Sequence, residues 1–465
     1  MLDVAAQTPS RTPGPLSTQY AAVTVSMLVL VTIVAFESLA VSTAMPTAAV
    51  DLHAVRSYGL AFSVMLTAQL LGIVLAGVWA DRSGPLPGTF AGQLLFGVGS
   101  AICGSSSHLG VFLTGRVLTG LGGGLLVVML YVISGRVYPE AVRPRLFSLL
   151  SAAWILPALI GPPIAAWLTH VWSWRLVFWV VVVPVVATLL TLLRLRGRIE
   201  TSHFDGASSG RDHRTHVRVA WAGLGIALAA GAVQLGTYDL VLQWSPRTVL
   251  GLLGLAGVAA TAPLLVPRGT WRMARGIPSA MLARSLFSAA FAGGISYVPL
   301  MLVNERGTSL TFAGVIIAAG SLGWAAGAWV QGLPHVAGRR PSLVSGGAAL
   351  LLVGMSLMAL GAYLTWPAWL SAPALVLGGL AMGLGVTSTT VLVLELSPVA
   401  DHGENSSSIQ LADVLGSVMG VATATAIFAA LHTGAGHDRR VYTLLFAVLA
   451  AGAALAIPAG RRITT

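Results

Sequence analysis

Glu37, Arg116 and Asp413 are charged residues set inside long apolar stretches, and their types define the chemistry to look for. A carboxyl group near a guanidinium in apolar surroundings can take up and release a proton as its neighbours move, and charge at such depth is costly enough that it usually serves function. The other reading of Glu37 and Arg116 is a static ion pair. Asp413, one turn after Gln410 on the same helical face, can accept a proton or hold a gate. Asp81 and Arg82 differ, because "GVWADRSGP" (77–85) puts them at a turn between two apolar runs, closed by Gly84. Arg284 and Glu395 stand near the ends of their runs, where long side chains snorkel. Asp239 and Glu305 read as external loop residues. None of the 10 histidines falls at the centre of a run, which argues against a histidine relay.

The elements that hold these residues follow from composition. Of 465 residues, 56% are hydrophobic and 9% charged, too few charges to cover a surface that faces water, so the surface must meet lipid. Runs long enough to cross a bilayer fall near 22–46, 57–79, 88–105, 109–134, 146–168, 175–193, 219–236, 248–266, 278–303, 311–332, 342–363, 368–394, 408–431 and 441–459. With no water to satisfy the backbone and no strand alternation, these fourteen runs are predicted to be helices of an all-α integral membrane protein. All 26 basic residues are arginine, and most lie in the connections that would share a side with both termini, which places both termini in the cytoplasm. The net charge of +11 then needs no nucleic-acid partner. Arg194 to Arg218 flank one loop and can meet anionic lipid head groups. The first residues lack a signal-peptide pattern, so the first span is expected to do the targeting. Cys103, the single cysteine, reads as a small core residue.

The chain divides into a tail (1–19), a six-helix bundle (20–196), a polar linker with two inserted helices (197–277), a second six-helix bundle (278–460) and a tail (461–465). "ADRSGPLP" and "PHVAGRRP" align on Gly84 and Gly338, each between the second and third spans of its half, as two remnants of one ancestral loop.

Five stretches together carry a resemblance. "GVWADRSG" is similar to the loop motif of the major facilitator superfamily, "ESLAVSTAMP" (37–46) to its acidic first-span motif, and "GRVLTGLGGG" (115–124) to its fourth-span arginine and glycine motif. "PALIGPPIAA" (157–166) resembles the antiporter motif, with Ala165 and Ala166 in place of glycines, and "WSWRLVFWVVVVP" opens the sixth span as in these antiporters. The chain therefore resembles the fourteen-helix drug:proton antiporters of that superfamily. The resemblance implies the major facilitator fold, two six-helix bundles plus two inserted helices. It implies proton coupling through Glu37 and Arg116, beside which Asp413 is the best-placed acid of the second half. It implies a cytoplasmic gate at Gly77, Asp81, Arg82, Gly84 and Arg136, where Asp81 would engage Arg136 and the helix start at Ser406–Gln410. Pro85 and Leu86 replace the family's basic pair. Pro157, Gly161 and Pro162 would bend the fifth span and let it pack on the eighth of the twelve core helices.

Gln69, Tyr131, Trp154, Tyr297 and Trp324 are candidates to line a substrate cavity, with core packing or lipid contact as their alternative. Trp172, Trp174, Trp366 and Trp369 fit an interfacial aromatic belt. No nucleophile with its base, metal-ligand cluster or phosphate loop is legible, so the reading is a transporter and not an enzyme, with no metal or cofactor. The function the resemblance implies is proton-coupled export of amphipathic or hydrophobic small molecules of the multidrug efflux type by alternating access. It places the protein in the inner (plasma) membrane of a bacterium, as a monomer. The alternative is an exporter or flippase of an endogenous lipid or lipid-like metabolite.

Overall fold

Apolar runs rich in Val, Leu and Ala become helices here because each one satisfies its own backbone hydrogen bonds. The structure is a computed structural model that describes residues 14–139, 142–201, 213–237, 246–398, 402–434 and 436–463. Among these residues the first six helices are α1 (Ala21–Asp51), α2 (Leu60–Ser83), α3 (Pro85–Ser105), α4 (Leu109–Val137), α5 (Arg143–Val171) and α6 (Arg175–Thr201). A pair follows, α7 (His213–Thr237) and α8 (Pro246–Leu265). The last six are α9 (Ile277–Asn304), α10 (Leu310–Gln331), α11 (Arg340–Tyr363), α12 (Ser371–Glu395), α13 (His402–Leu431) and α14 (Arg439–Arg461). Twelve of them are long and apolar enough to cross a membrane, whereas α7 and α8 carry shorter apolar stretches, Trp221–Gly236 and Thr248–Leu264.

The two sets of six pack alike. In the first, α1 lies against α5 and α6, α2 against α4, and α3 against α4 and α6. In the second, α9 lies against α13 and α14, α10 against α12, and α11 against α12 and α14. Shifting each label by eight converts one list into the other. The contacts between halves obey the same relation, since α2 meets α13 where α10 meets α5, and α1 meets α9. Pairs α7 and α8 break the symmetry: α7 packs on both α2 and α13, and buried Gln234 donates to the Ser63 carbonyl at 3.0 Å.

The ends of the helices define two faces. The start of α1 meets the end of α4, through Thr24 and Tyr138 (2.7 Å), and the end of α14 meets the start of α9, where the Gly276 N–H donates to the Arg462 carbonyl at 3.0 Å. Tyr58, before α2, touches Tyr297, near the end of α9, which puts α1's start and α14's end on one face, here the terminal face. Of the belt tryptophans, Trp172 and Trp369 are exposed, but Trp174 is buried and donates to Asp51 at 3.0 Å. Its ring is packed in the fold while its indole N–H meets the exposed Asp51 carboxylate, so it does not face lipid as a belt residue would.

Candidate functional site

Glu37 on α1 and Arg116 on α4 meet in the core of the first half, each about 1% exposed. The Arg116 Nη1 group donates to Glu37 Oε1, Nε donates to the Ala61 carbonyl at 2.9 Å, and Nη2 lies 3.1 Å from the Met65 sulfur. Among the described residues Glu37 Oε2 has no hydrogen-bond partner. One oxygen of a fully buried carboxyl is thus held by a cation while the other is left without a donor, a costly state that protonation relieves.

The neighbour of Glu37 reaches a different element. Phe36 packs against Gly161 of α5, whose added Cβ would lie 3.5 Å from the Phe36 ring. Pro157, Gly161 and Pro162 all lie within α5, where the prolines remove N–H donors from the helix ladder. The Pro162 carbonyl faces Gly314 of α10 at 3.0 Å from a built Cβ, and Ser321 of α10 donates to the Ala158 carbonyl at 2.7 Å. A shift at Glu37 is therefore one residue away from a seam between the halves.

Asp413 on α13 is half-buried and accepts from Arg284 Nε at 2.7 Å and from the Ser288 hydroxyl. Arg284 also donates to the Val386 carbonyl at 2.7 Å and to Thr390 at 3.0 Å, tying α9, α12 and α13 together. This corrects the snorkelling expectation for Arg284: the residue is buried, because its fork finds three acceptors inside the bundle and need not reach for water. Glu395, by contrast, is exposed and pairs with Arg340.

At the turn after α2, Gly84 has φ of 75°, a left-handed value that favours glycine and separates α2 from α3. Arg136 donates from Nη2 to the Ala80 carbonyl at 3.3 Å, where a cation complements a helix C-terminus. Arg82 is exposed, Gly77 half-buried, and the Asp81 side chain lies outside the described residues, as do those of Ser406 and Ser407. Beside this turn the Tyr138 phenol is pushed up to about 12 by burial and stays neutral.

The cavity candidates separate. Tyr131 and Trp154 are 49% and 40% exposed, and Tyr131 lies near Arg284 of the other half, on the terminal-face side of the fold. Gln69 is half-buried, and Trp324 packs edge-on against Phe291 at 5.6 Å. Tyr297 is fully buried and lines no open space in this conformation. It packs between Tyr58 (5.3 Å) and Phe428 (5.2 Å), both rings tilted against it, closing the halves against each other at the opposite face. Gly59 completes that closure, since a Cβ there would fall 1.8 Å from Thr425 Oγ1.

Sequence reasoning missed Tyr58, Gly59 and the buried pair His432 and Asp438, which follows α13. Glu305 accepts from the Gly436 and Asp438 N–H groups at 3.0 Å each, and Asp239 lies outside the described residues. Among the described residues no three His, Cys, Asp or Glu side chains are grouped as a metal site requires.

The sequence profile described as Major Facilitator Superfamily matches residues 27–421. An uncharacterized MFS-type transporter of Mycobacterium tuberculosis is 28% identical over 402 residues, covering 83% of this chain and 56% of the relative. This chain thus spans little more than half the length of that protein. A probable multidrug-efflux transporter of the same organism is 24% identical over 441 residues, covering 89% and 88% of the two chains. The crystal structure of a POT family transporter in complex with a thioalcohol conjugated peptide superposes with a TM-score of 0.71 at 15% identity, covering 96% of each chain. At that identity the likeness speaks for the fold alone.

Proposed function

The chain belongs to the major facilitator superfamily, and from that premise we propose that it is a proton-coupled exporter of amphipathic or hydrophobic small molecules, akin to the fourteen-helix drug:proton antiporters. The observation that carries this reading is the buried Glu37 and Arg116 pair with its unpartnered Glu37 oxygen. A proton arriving at Glu37 loosens its hold on Arg116, and Phe36 on the same turn transmits the change to Gly161 and the seam between α5 and α10. Asp413, held by Arg284, is the second-half counterpart.

In this reading the terminal face is cytoplasmic, the protein stands open to the cytoplasm, and the outer closure is the Tyr58, Tyr297 and Gly59 contact. Opening outward would bring the gate residues Asp81, Arg82, Gly84 and Arg136 against the start of α13. The multidrug names of relatives support a broad, largely apolar substrate range. Inner-membrane location fits the bacterial relatives. Both inserted helices carry apolar stretches, Trp221–Gly236 and Thr248–Leu264, and in this reading they complete fourteen spans.

The test is efflux of a panel of lipophilic dyes and fluorescent lipid analogues from sealed vesicles under an imposed proton gradient, wild type beside Glu37→Gln. Dye export that follows the gradient and disappears in Glu37→Gln is expected. Gradient-independent movement, unchanged by the substitution, would sink proton coupling through Glu37. Movement of lipid analogues alone would move the flippase reading to the front.

A further inference from the structure

Positive charge on the face opposite the termini runs against the usual bias toward the inside. Arg175 on that face is already paired with Asp51 at 2.8 Å. Arg306, Arg439 and Arg440 instead line one cavity of about 920 Å³ between the ends of α9, α11 and α13 and the start of α14. Its lining contains a single exposed-side acid, Glu305, which spends one oxygen on two backbone N–H groups. The nearby Asp438 carboxylate is buried and held by His432 and Thr433. Arg306 is fixed by the Gly361 and Ala362 carbonyls at 2.7 and 3.3 Å, Arg439 lies over the Tyr363 ring at 5.4 Å, and among the described residues no carboxylate pairs with Arg439 or Arg440.

One wall of the cavity is apolar, formed by Met301, Leu431, Val441 and Leu444, with Leu431 and Leu444 themselves exposed, while Thr365, Thr433, His437 and Tyr442 add polar groups to the lining. Guanidinium groups bind phosphate and carboxylate oxygens through paired N–H donors, and an adjoining apolar wall suits a hydrocarbon portion.

We propose that this cavity binds the phosphate or carboxylate head group of an anionic amphiphile, held by Arg306, Arg439 and Arg440, with the apolar part along Leu431 and Leu444. The site stands on the fold alone and holds whatever the transported substrate proves to be.

Native mass spectrometry of the full chain in detergent, with phosphatidylglycerol and phosphatidylcholine supplied together, tests it on wild type, Arg439→Gln/Arg440→Gln and the control Arg268→Gln/Arg272→Gln, two exposed arginines before α9. Arg439 and Arg440 are exposed, so the first variant should melt at the wild-type temperature. Its preference for phosphatidylglycerol should fall roughly tenfold, with a much smaller change in the control, since each juxtamembrane arginine contributes to anionic head-group binding. Inorganic phosphate is the second arm. Displacement of phosphatidylglycerol by it in the wild type identifies a site open to free anions, and retention identifies a bilayer lipid as the ligand. Equal losses in the two variants would reduce the effect to bulk charge and overturn the proposal, as would wild-type retention of phosphatidylglycerol by Arg439→Gln/Arg440→Gln.

Discussion

Arg116 cannot shed its charge, whereas Glu37 can become neutral by binding a proton. Replacing Glu37 by Gln leaves a buried cation with only an amide oxygen to meet it, and replacing Arg116 by Gln leaves a carboxyl that can protonate. Each single variant should therefore lower the melting temperature. The double variant Glu37→Gln/Arg116→Gln should lose less than the two singles combined, with a coupling of roughly 0.5 to 3 kcal/mol for residues in direct contact. Thermal unfolding of the four proteins in detergent measures this. Strictly additive losses would mean that the two groups do not interact. The pair itself was legible, because two charges set in apolar runs of one bundle have few other partners. Arg284 was not, since sequence fixes depth only to within about a turn, and its position near a helix start resembled an interface.

Among the elements, the meeting of the turn before α2 with α9 and α13 decides which face is closed. Gly59 is the tightest point: a Cβ would overlap Thr425 Oγ1 and approach Tyr297 Oη at 2.4 Å. Gly59→Leu should hold that face apart. A reporter Thr425→Cys, buried at 1% exposure in this structure, should then react roughly tenfold faster with a membrane-impermeant maleimide, which corresponds to a shift of about 1.4 kcal/mol between the two states. Background labelling is low, because the single native cysteine, Cys103, is buried. Unchanged reactivity would show that Gly59 is not a closure point. Tyr297 belongs to this closure, although its place well inside an apolar run makes it equally suited to a cavity wall. Periodicity assigns an aromatic ring to a helix but leaves open what stands across from it.

For the whole molecule, two equivalent halves meet through equivalent seams, α2 with α13 and α5 with α10, and that geometry suits a rocking motion about an axis between them. Among the described residues the inserted pair packs on the first seam, where α7 touches both halves. If α7 and α8 both cross the bilayer, a cysteine placed in the 238–245 connection will be labelled from outside intact cells, and one placed in 202–212 only after permeabilisation. Labelling of both from one side would mean that the pair does not span. The same experiment at the two termini should find both inside.

Composition and run length by themselves determined that this chain is a bundle of membrane helices, because an apolar run of bilayer length has no other stable form. The arginine distribution set an expected orientation, and the turn at Gly84 was readable from residue types alone. The tertiary structure decided which charges pair, which seam α7 covers and which face is shut. These depend on contacts between residues far apart in sequence, where a rotation of one helix by a single position replaces one partner with another.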